Sequence, residues 1–145
     1  MKTETIVMGY IFYNNKCLLV KPIKTNRFMA CGGHVKENEL LKEGLKREIK
    51  EELNLEINFL HYYHNFESIN NQLPTPFITN YKTFDEKRLQ IFEYLCRVSS
   101  TENLRINKKE LLEYKLFEKD ELLKSKEIKE TTKEIISKAY EFLNV

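Results

Sequence analysis

The pattern of hydrophobic and polar positions along this chain changes several times, and each change predicts a different element. Residues 4–13, ETIVMGYIFY, and residues 17–20, CLLV, are rich in the β-branched, aromatic and other apolar side chains that favour strands. Asn14 and Asn15 lie between these runs, and a two-residue polar connection of this kind predicts a hairpin. The chain therefore opens with two antiparallel strands.

A helix is predicted further along the chain, after a loop and a short strand. The polar run 21–27 predicts the loop, and residues 28–30 are predicted to form the strand that leads to a glycine turn at Gly32 and Gly33. Apolar residues then recur every four positions, at Leu41, Leu45, Ile49 and Leu53. This spacing predicts a helix over 39–53, with Asn38 as its N-cap.

The second half of the chain alternates between apolar runs and polar connections. The predicted order is a strand over 55–66, an extended loop over 67–88, a strand over 89–98, a polar turn over 99–110, and a short strand running into a helical turn over 114–122. A closing amphipathic helix is predicted from apolar residues at helical spacing, which are Ile128, Ile135, Ile136, Ala139, Phe142 and Leu143.

Composition limits the number of domains and the kinds of partner. A chain of 145 residues, 41% hydrophobic and 32% charged, fits one soluble domain over 1–145. Lysine and arginine number 24 against 22 acidic residues, and the net charge of +2 gives no reason to expect nucleic-acid or membrane binding. Any anionic substrate must therefore be bound by local groups.

The cysteines and the N-terminus bear on the compartment. Cys17, Cys31 and Cys96 are odd in number and widely spaced, which argues against a disulfide framework and against a thiolate zinc site. The first residues lack the features of a signal peptide, and no stretch approaches the roughly 20 apolar residues of a membrane span. We therefore expect a cytoplasmic protein with reduced thiols.

Three carboxylates crowd one part of the predicted helix. Residues three and four apart share a helix face, so Glu48, Glu51 and Glu52 converge within one turn. Their mutual repulsion would be relieved by a hard divalent cation, which prefers oxygen ligands. The alternative is a solvated helix face with an ordinary surface pair between Arg47 and Glu51, contributing at most about 0.5 kcal/mol.

The spacing of these residues favours the metal site. Gly33 is followed by five residues, Glu39, seven residues, the run Arg47-Glu48-Ile49, one residue, and then Glu51-Glu52. In this arrangement the chain resembles the Nudix hydrolase family, whose box reads G, five residues, E, seven residues, R-E-apolar-x-E-E-x-G-apolar. Asn54 replaces the final glycine, and asparagine tolerates the left-handed conformation required there. The resemblance implies the Nudix fold, an α/β arrangement in which helices sandwich a mixed β-sheet.

The resemblance also implies an activity, which is hydrolysis of a nucleoside diphosphate linked to another group by attack of water at phosphorus. One or more Mg²⁺ ions, which Mn²⁺ could replace, would be held by Glu48, Glu51, Glu52 and the backbone carbonyl of Gly33. Arg47 would orient the cluster by pairing with Glu39 or Glu51. The general base would be Glu51, Glu52 or a carboxylate from a distant loop, for which Glu110 and Glu113 are the candidates, although each is more often an ordinary surface acid.

Three further residues are candidates for substrate contacts. Phe28 stands where many family members place an aromatic residue, and it either stacks on a base or packs in the core. Lys21 either meets phosphate or is solvated, and His34 either hydrogen-bonds the substrate or is a surface residue. Residues 70–73 carry neither the proline nor the tyrosine that marks some subgroups, which weakens the ADP-ribose and diadenosine-polyphosphate interpretations and leaves ordinary or modified nucleoside triphosphates.

Two other functions remain open. A nucleotide-binding regulatory module with the same fold would be expected to have lost box glutamates, and none is lost here. Isomerisation of an isoprenoid diphosphate would need a reactive cysteine, for which Cys31 and Cys96 are the candidates. A small-molecule nucleotide is the expected partner, and many family members form homodimers.

Overall fold

The computed structural model describes residues 2–60, 76 and 78–143, which form a mixed sheet with helices on both faces. The strands are β1 Lys2–Tyr13, β2 Lys16–Pro22, β3 Cys31–His34, β4 Asn58–Phe59, β5 Ile78–Phe84, β6 Lys87–Arg97 and β7 Leu111–Phe117. The helices are α1 Leu41–Leu53, α2 Lys119–Lys124 and α3 Glu130–Leu143. None of the described helices is long and apolar enough to cross a membrane.

Strand β1 is the centre of the sheet. It runs parallel to β6 from the Lys2/Lys87 pair to the Phe12/Arg97 pair. On its other side β1 pairs antiparallel with β3 in its middle, from Ile6 to Gly9, and with β2 at its end. Strands β4 and β5 both extend the sheet beyond β6, and β7 pairs with β2. The predicted mixed sheet is therefore confirmed.

Two hydrophobic cores lie on opposite faces of the sheet, because successive side chains of a strand point to opposite sides. Val7 and Ile11 of β1 pack with Leu45, Ile49 and Leu53 of α1. The alternate residues of β1 belong to the second core, on the face that α3 covers, and this core includes Tyr10, Phe12, Cys17, Leu19, Phe28, Phe117, Ile136, Ala139 and Tyr140. The predicted sandwich of a sheet between helices is confirmed.

The two hairpins of the sheet use turn residues in the left-handed region. Asn14 and Asn15, with φ of 48° and 65°, join β1 to β2 as predicted. Asp85 and Glu86, with φ of 49° and 59°, join β5 to β6. The predicted loop over 67–88 is therefore wrong from residue 78 onward, because an Asp-Glu pair carries no glycine or asparagine to signal a tight turn. In its described part, the strand predicted over 55–66 is present only at Asn58–Phe59, and residues 61–66 lie outside the described residues. The rest of the predicted loop, 67–77, also lies outside them except for Pro76.

The approach to α1 also differs from the prediction. The strand expected over 28–30 is reduced to a single bridge between Met29 and Val20, and the extended segment is β3, which contains both glycines. Asn38 is not the N-cap: it lies in a turn with φ of 65°, and α1 begins at Leu41 without a side-chain cap. The polar residue that organises this turn is Glu39, whose carboxylate accepts a 2.9 Å hydrogen bond from the backbone N–H of Lys36.

The remaining boundaries agree with the sequence. Asn54 ends α1 in the left-handed conformation, with φ of 56° and ψ of 39°, as expected for the residue that replaces the box glycine. Its side-chain amide donates a 2.9 Å hydrogen bond to the carbonyl of Asn103. The short strand and helical turn predicted over 114–122 are β7 and α2, and the closing amphipathic helix is α3.

Candidate active site

Gly32 and Gly33 bring strand β3 close to β1 and to helix α1. None of the chain's four glycines, all of which are described, has a positive φ, so the predicted glycine turn is wrong. A Cβ on Gly32 would lie 1.9 Å from the carbonyl oxygen of Val7, and a Cβ on Gly33 would lie 2.7 Å from the carboxyl carbon of Glu48. Gly32 is therefore required for close packing against the backbone of β1, and Gly33 for close packing against the Glu48 carboxylate.

Arg47 and Glu39 form a two-point ion pair at the start of this site. Arg47 Nε donates to Glu39 Oε2 at 2.8 Å, and Arg47 Nη2 donates to Glu39 Oε1 at 3.0 Å. Hydrogen bonding from Arg47 is the main cause that lowers the pKa of Glu39 to about 2. Gly44 leaves room for this carboxylate, because a Cβ there would lie 3.0 Å from Glu39 Oε1. Gly44 therefore permits the close approach of the Glu39 side chain to α1.

The same guanidinium also holds two of the predicted metal ligands. Arg47 Nη1 donates to Glu48 Oε1 at 3.0 Å and to Glu51 Oε2 at 3.3 Å. Arg47 Nη2 also donates to the backbone carbonyl of His34 at 3.0 Å, which ties α1 to β3. Hydrogen bonds to Glu39 and then Glu48 raise the pKa of Arg47 above its usual range. One side chain thus fixes the positions of three carboxylates.

Glu52 lies deeper than its neighbours on α1. Burial raises the pKa of Glu52 to about 7, the negative charges of Glu48 and Glu110 add to this rise, and a hydrogen bond from Cys31 opposes it. The Cys31 thiol donates to Glu52 Oε2 at 3.1 Å. The sequence offered Cys31 as a candidate reactive cysteine, and its contact with Glu52 was not predicted.

The segment between β6 and β7 places a fourth carboxylate near Glu52. The backbone N–H of Asn107 donates to the carbonyl of Glu52 at 2.8 Å, and that of Arg105 donates to the carbonyl of Leu53 at 3.0 Å. The backbone N–H of Glu110 in turn donates to the carbonyl of Asn107 at 3.0 Å. Because this segment is fixed to the end of α1, the charge of Glu110 acts on Glu52.

Glu113, the other distant carboxylate, is placed differently. It pairs directly with Lys21 between β7 and β2, and directly opposed residues of two strands share a face of the sheet. The Lys21 ammonium lies 4.7 Å from the ring centroid of Phe28, which belongs to the core beneath α3. Glu113 therefore points toward the α3 face, and the structure does not bring it to the carboxylates of α1.

The three predicted substrate contacts are also spread over the molecule. Phe28 is only 3% exposed and packs edge-to-face on Phe117, with ring centroids 5.0 Å apart. Lys21 forms a 3.2 Å ion pair with Glu127. The His34 ring lies 2.7 Å from a carboxylate oxygen of Glu4, and only the backbone of His34 takes part in the Arg47 network. Among the described residues, the hydrogen bonds and ion pairs of these three side chains do not reach Glu48, Glu51 or Glu52.

The donor groups of the site fit a hard divalent cation in kind. Glu48, Glu51 and Glu52 supply carboxylate oxygens, the ligands that Mg²⁺ prefers, and the pKa of Glu52 is raised first by burial and then by the neighbouring negative charges. Within residues 2–60 and 78–143, however, no three acidic, histidine or cysteine side chains are arranged around one metal position. Arg47 donates hydrogen bonds to Glu48 and Glu51, and Cys31 donates one to Glu52. These bonds hold the three carboxylates in positions that do not surround a single metal position.

Comparison with known proteins identifies this arrangement. The model of the family described as NUDIX domain matches residues 3–139. The chain belongs to the NUDIX domain family. In this Nudix protein the box runs from Gly33 in strand β3 to Leu55 just beyond α1, and its three predicted metal ligands Glu48, Glu51 and Glu52 lie on that helix. The family assignment makes the protein a hydrolase of the pyrophosphatase type.

Solved structures share the Nudix fold of this chain. A hydrolase of the NUDIX family from Clostridium perfringens superposes with a TM-score of 0.81 at 23% identity, covering 96% of this chain and 97% of that one. A MutT protein from Methanosarcina mazei Go1 gives a TM-score of 0.73 at 16% identity, covering 99% and 96%. An Ap4A hydrolase from C. elegans gives 0.72 at 16% identity, covering 99% and 98%. No curated protein matches the chain in sequence.

The Arg47 network leads to a first prediction. Lysine in place of Arg47 keeps the charge but cannot donate to Glu39 at two points while also reaching Glu48, Glu51 and the His34 carbonyl. We expect Arg47→Lys to lower metal-dependent turnover by about 10- to 100-fold, the usual cost of losing a group that orients metal ligands. Steady-state kinetics checks this, and Lys46→Arg, one position earlier on α1, serves as the control. Turnover within twofold of wild type would contradict an orienting role.

Proposed function

We propose that this Nudix hydrolase is a Mg²⁺-dependent pyrophosphohydrolase that cleaves a nucleoside diphosphate linked to another moiety by attack of water at phosphorus. Nucleoside triphosphates and modified nucleotides are the substrates we favour within this class. The observation that carries the proposal is the complete set of box glutamates, Glu48, Glu51 and Glu52, gathered beside Gly33 and Arg47.

Each group in the site has a role in this proposal. Glu48, Glu51, Glu52 and the carbonyl of Gly33 would hold the cation, which when bound neutralises phosphate charge and acidifies a water molecule. Arg47 keeps the carboxylates in position, and its own position is fixed by Glu39 and by the backbone of β3. A carboxylate would accept the proton of the attacking water, and of the four candidate bases Glu51, Glu52 and Glu110 lie on the α1 side of the sheet.

The similar structures do not identify the substrate of this chain. One of them is described as an Ap4A hydrolase and another as a MutT protein. Both are 16% identical to this chain, a level at which the shared fold does not transfer a substrate. Enzyme assays with different nucleoside diphosphate derivatives are therefore needed to identify the substrate.

A substrate panel tests the proposal directly. Release of phosphate or pyrophosphate is measured from nucleoside triphosphates, dinucleoside polyphosphates, nucleotide sugars and ADP-ribose, each with Mg²⁺, with Mn²⁺ and with a chelator. We expect turnover of at least one compound that requires the cation. Tight nucleotide binding without turnover of any compound would favour the regulatory binding module instead.

The distant general base is tested by a matched pair of variants. Glu110 lies on the segment fixed to the end of α1, whereas Glu113 faces the opposite side of the sheet. A positioned general base contributes about 10²- to 10⁴-fold, so we expect Glu110→Gln to lower kcat by about 100-fold and Glu113→Gln to leave it within threefold. Measuring kcat for both variants across pH decides between them. The reverse order of effects would restore Glu113 as the base.

The isomerase interpretation is disfavoured by the cysteines. Cys31 and Cys96 are both fully buried, and burial raises the pKa of each thiol well above its usual value. Cys31 also lies against the Glu52 carboxylate, which further disfavours a thiolate. A buried, protonated thiol is a poor acid–base or nucleophilic group, so the hydrolase remains the function that the site supports best.

Compartment and partners complete the proposal. We propose a cytoplasmic location, since Cys17, Cys31 and Cys96 are all free thiols. The proposed partner is a small-molecule nucleotide, and the nearly balanced charge of the chain gives no support to nucleic-acid binding. A homodimer and a single domain over 1–145 stay predictions, which light scattering and limited proteolysis would check.

A further inference from the structure

Strand β7 is an edge of the sheet with an exposed outer side. Among the described strands it pairs only with β2, and four consecutive residues, 112–115, are exposed. Three of the six exposed large hydrophobic side chains in the described chain, Ile23, Leu112 and Tyr114, lie on or beside this strand. Ile23 lies beside it because its N–H donates to the carbonyl of Glu110 at 3.0 Å, just before β7 begins. An exposed apolar edge is a surface on which another strand can pair.

The hydrogen bonds of β2 show which backbone groups of β7 point outward. Val20 lies opposite Tyr114, and on its other side it exchanges backbone hydrogen bonds of 2.9 and 2.8 Å with Met29. The N–H and C=O of one strand residue point to the same side, so Val20 and Tyr114 form a non-hydrogen-bonded pair. The N–H and C=O of Tyr114 therefore point away from β2, and those of Leu116 do so by alternation. The corresponding groups of Lys115 point toward β2.

The charges along β7 match a second copy of the same strand in one antiparallel register. If the two strands are centred on Tyr114, the two copies of Tyr114 exchange backbone hydrogen bonds, and Glu113 lies opposite Lys115 of the second copy. Glu113 and Lys115 then form the non-hydrogen-bonded pair, in which side chains come closest. A shift of two residues in either direction would place Glu113 opposite Glu113, or Lys115 opposite Lys115. Like charges directly opposite each other disfavour both shifted registers.

The side chains of this register are available for the contact. Lys21, which lies opposite Glu113 on β2, forms a 3.2 Å ion pair with Glu127, and among the described residues Glu113 has no ion pair. Lys115 lies 3.0 Å from Glu121, and both side chains are partly exposed. An ammonium group has three N–H donors, so Lys115 can bind a second carboxylate without losing the first.

We propose that β7 is a homodimerisation strand, which pairs antiparallel with β7 of a second copy about a two-fold axis at Tyr114. The axis makes the contact isologous, so the Glu113–Lys115 pair occurs twice. The exposed Leu112 and Tyr114 side chains are partly covered by this pairing. Strand β5, at the other end of the sheet, carries Lys82 and no acidic residue, so a second copy of β5 would offer it no such charge match.

The first test uses the wild-type protein. Sedimentation velocity measures the dimer fraction from about 10 μM to about 1 mM, because a contact of this size is expected to be weak. Amide hydrogen exchange is then compared at the two ends of this range. We expect the Tyr114 amide to exchange at least about tenfold more slowly where the dimer predominates, since pairing covers it. The Lys115 amide, which faces β2, is the control and should be protected equally throughout. A monomer at every concentration, or Tyr114 exchange that does not depend on concentration, would overturn the proposal.

The second test reverses the charges of β7. Glu113→Lys places like charges opposite each other in the dimer, and so does Lys115→Glu, so we expect each variant alone to have a dimer dissociation constant at least about tenfold higher than wild type. An equimolar mixture of the two variants recreates both opposite-charge pairs and should associate about as tightly as wild type. Glu56→Lys, at an exposed site beyond α1, is the matched control and should dimerise normally. Melting temperatures verify folding. A mixture that associates no better than the separate variants, or undiminished dimerisation of Glu113→Lys, would overturn the proposal.

The outcome is independent of the proposed function, because association is measured without metal or nucleotide. Metal-dependent turnover by a protein that stays monomeric would leave the hydrolase standing and remove the β7 dimer. Dimerisation that depends on Glu113 and Lys115, without turnover of any nucleotide, would retain the dimer and remove the hydrolase.

Discussion

Glu51→Gln is expected to lower metal-dependent turnover by at least about 100-fold while the protein remains folded. Loss of a group that only supports a metal ligand costs about 10- to 100-fold, and removal of a ligand charge should cost at least as much. Glu51 is the most exposed of the three box glutamates, with 53% of its side chain accessible, so glutamine is tolerated by the fold. Arg47 keeps its bonds to Glu39 and Glu48 in this variant.

Steady-state kinetics on the compound that wild type turns over best measures this effect, and circular dichroism verifies the fold. Glu56→Gln, just beyond α1, is the matched control because its side chain is 87% exposed and its ion pair with Lys50 is 3.7 Å long. The control should retain full activity. A folded Glu51→Gln protein with wild-type turnover would exclude Glu51 from the active site.

Gly32→Ala is expected to destabilise the protein by about 3 kcal/mol or more, the largest stability effect that we predict. A Cβ at this position would lie 1.9 Å from the Val7 carbonyl oxygen and 2.8 Å from the Met8 Cα. Both are backbone atoms of the central strand, which a rotamer change cannot move. Relief of the overlap therefore requires β3 to move away from β1. Urea denaturation followed by circular dichroism measures the change in the free energy of unfolding.

Gly9→Ala is the control for this prediction, since Gly9 lies in the same pair of strands. A Cβ there would lie 3.2 Å from Ile49 Cδ1 and 3.3 Å from Leu45 Cδ2, which are the ends of flexible side chains. Mild crowding and the reduced entropy of the unfolded chain should offset each other to within about 1 kcal/mol. Gly33→Ala should lower activity more than stability, because the atoms nearest to its Cβ would be those of the Glu48 carboxylate, which is the end of a flexible side chain. Similar stabilities for Gly32→Ala and Gly9→Ala would contradict the argument.

Several features of the site could be predicted because they depend on local geometry. Glu48, Glu51 and Glu52 lie within one turn of any helix that forms there, and the spacing of Leu45, Ile49 and Leu53 fixes which face of the helix is buried. Asn54 was recognisable as the end of α1, since few residues other than glycine adopt its conformation. The hairpin at Asn14 and Asn15 was predictable for the same reason.

The failures occurred where a local signal was absent or ambiguous. The second hairpin turns at Asp85 and Glu86, whose positive φ angles no sequence rule anticipates. Gly32 and Gly33 were interpreted as a turn, because a glycine pair that permits a turn cannot be distinguished in sequence from one that permits close packing. The burial of Glu93 and its hydrogen bond with Tyr10 were not predicted, although a single acidic residue in the apolar run 89–98 is a conflict between side chain and environment.

The sequence by itself determined the acidic face of α1, through helical spacing, and the resemblance to the family, through the spacing of the box residues; the mixed sheet between helices was implied by that resemblance. Only the tertiary structure decided which distant residues meet. Strand register places Glu113 opposite Lys21, and backbone hydrogen bonds to the end of α1 bring Glu110 toward Glu52. The same register brings Tyr10 to Glu93, 83 positions away, in a cavity. Such contacts depend on strand order and on which face each residue takes, and neither is a property of neighbouring residues in the chain.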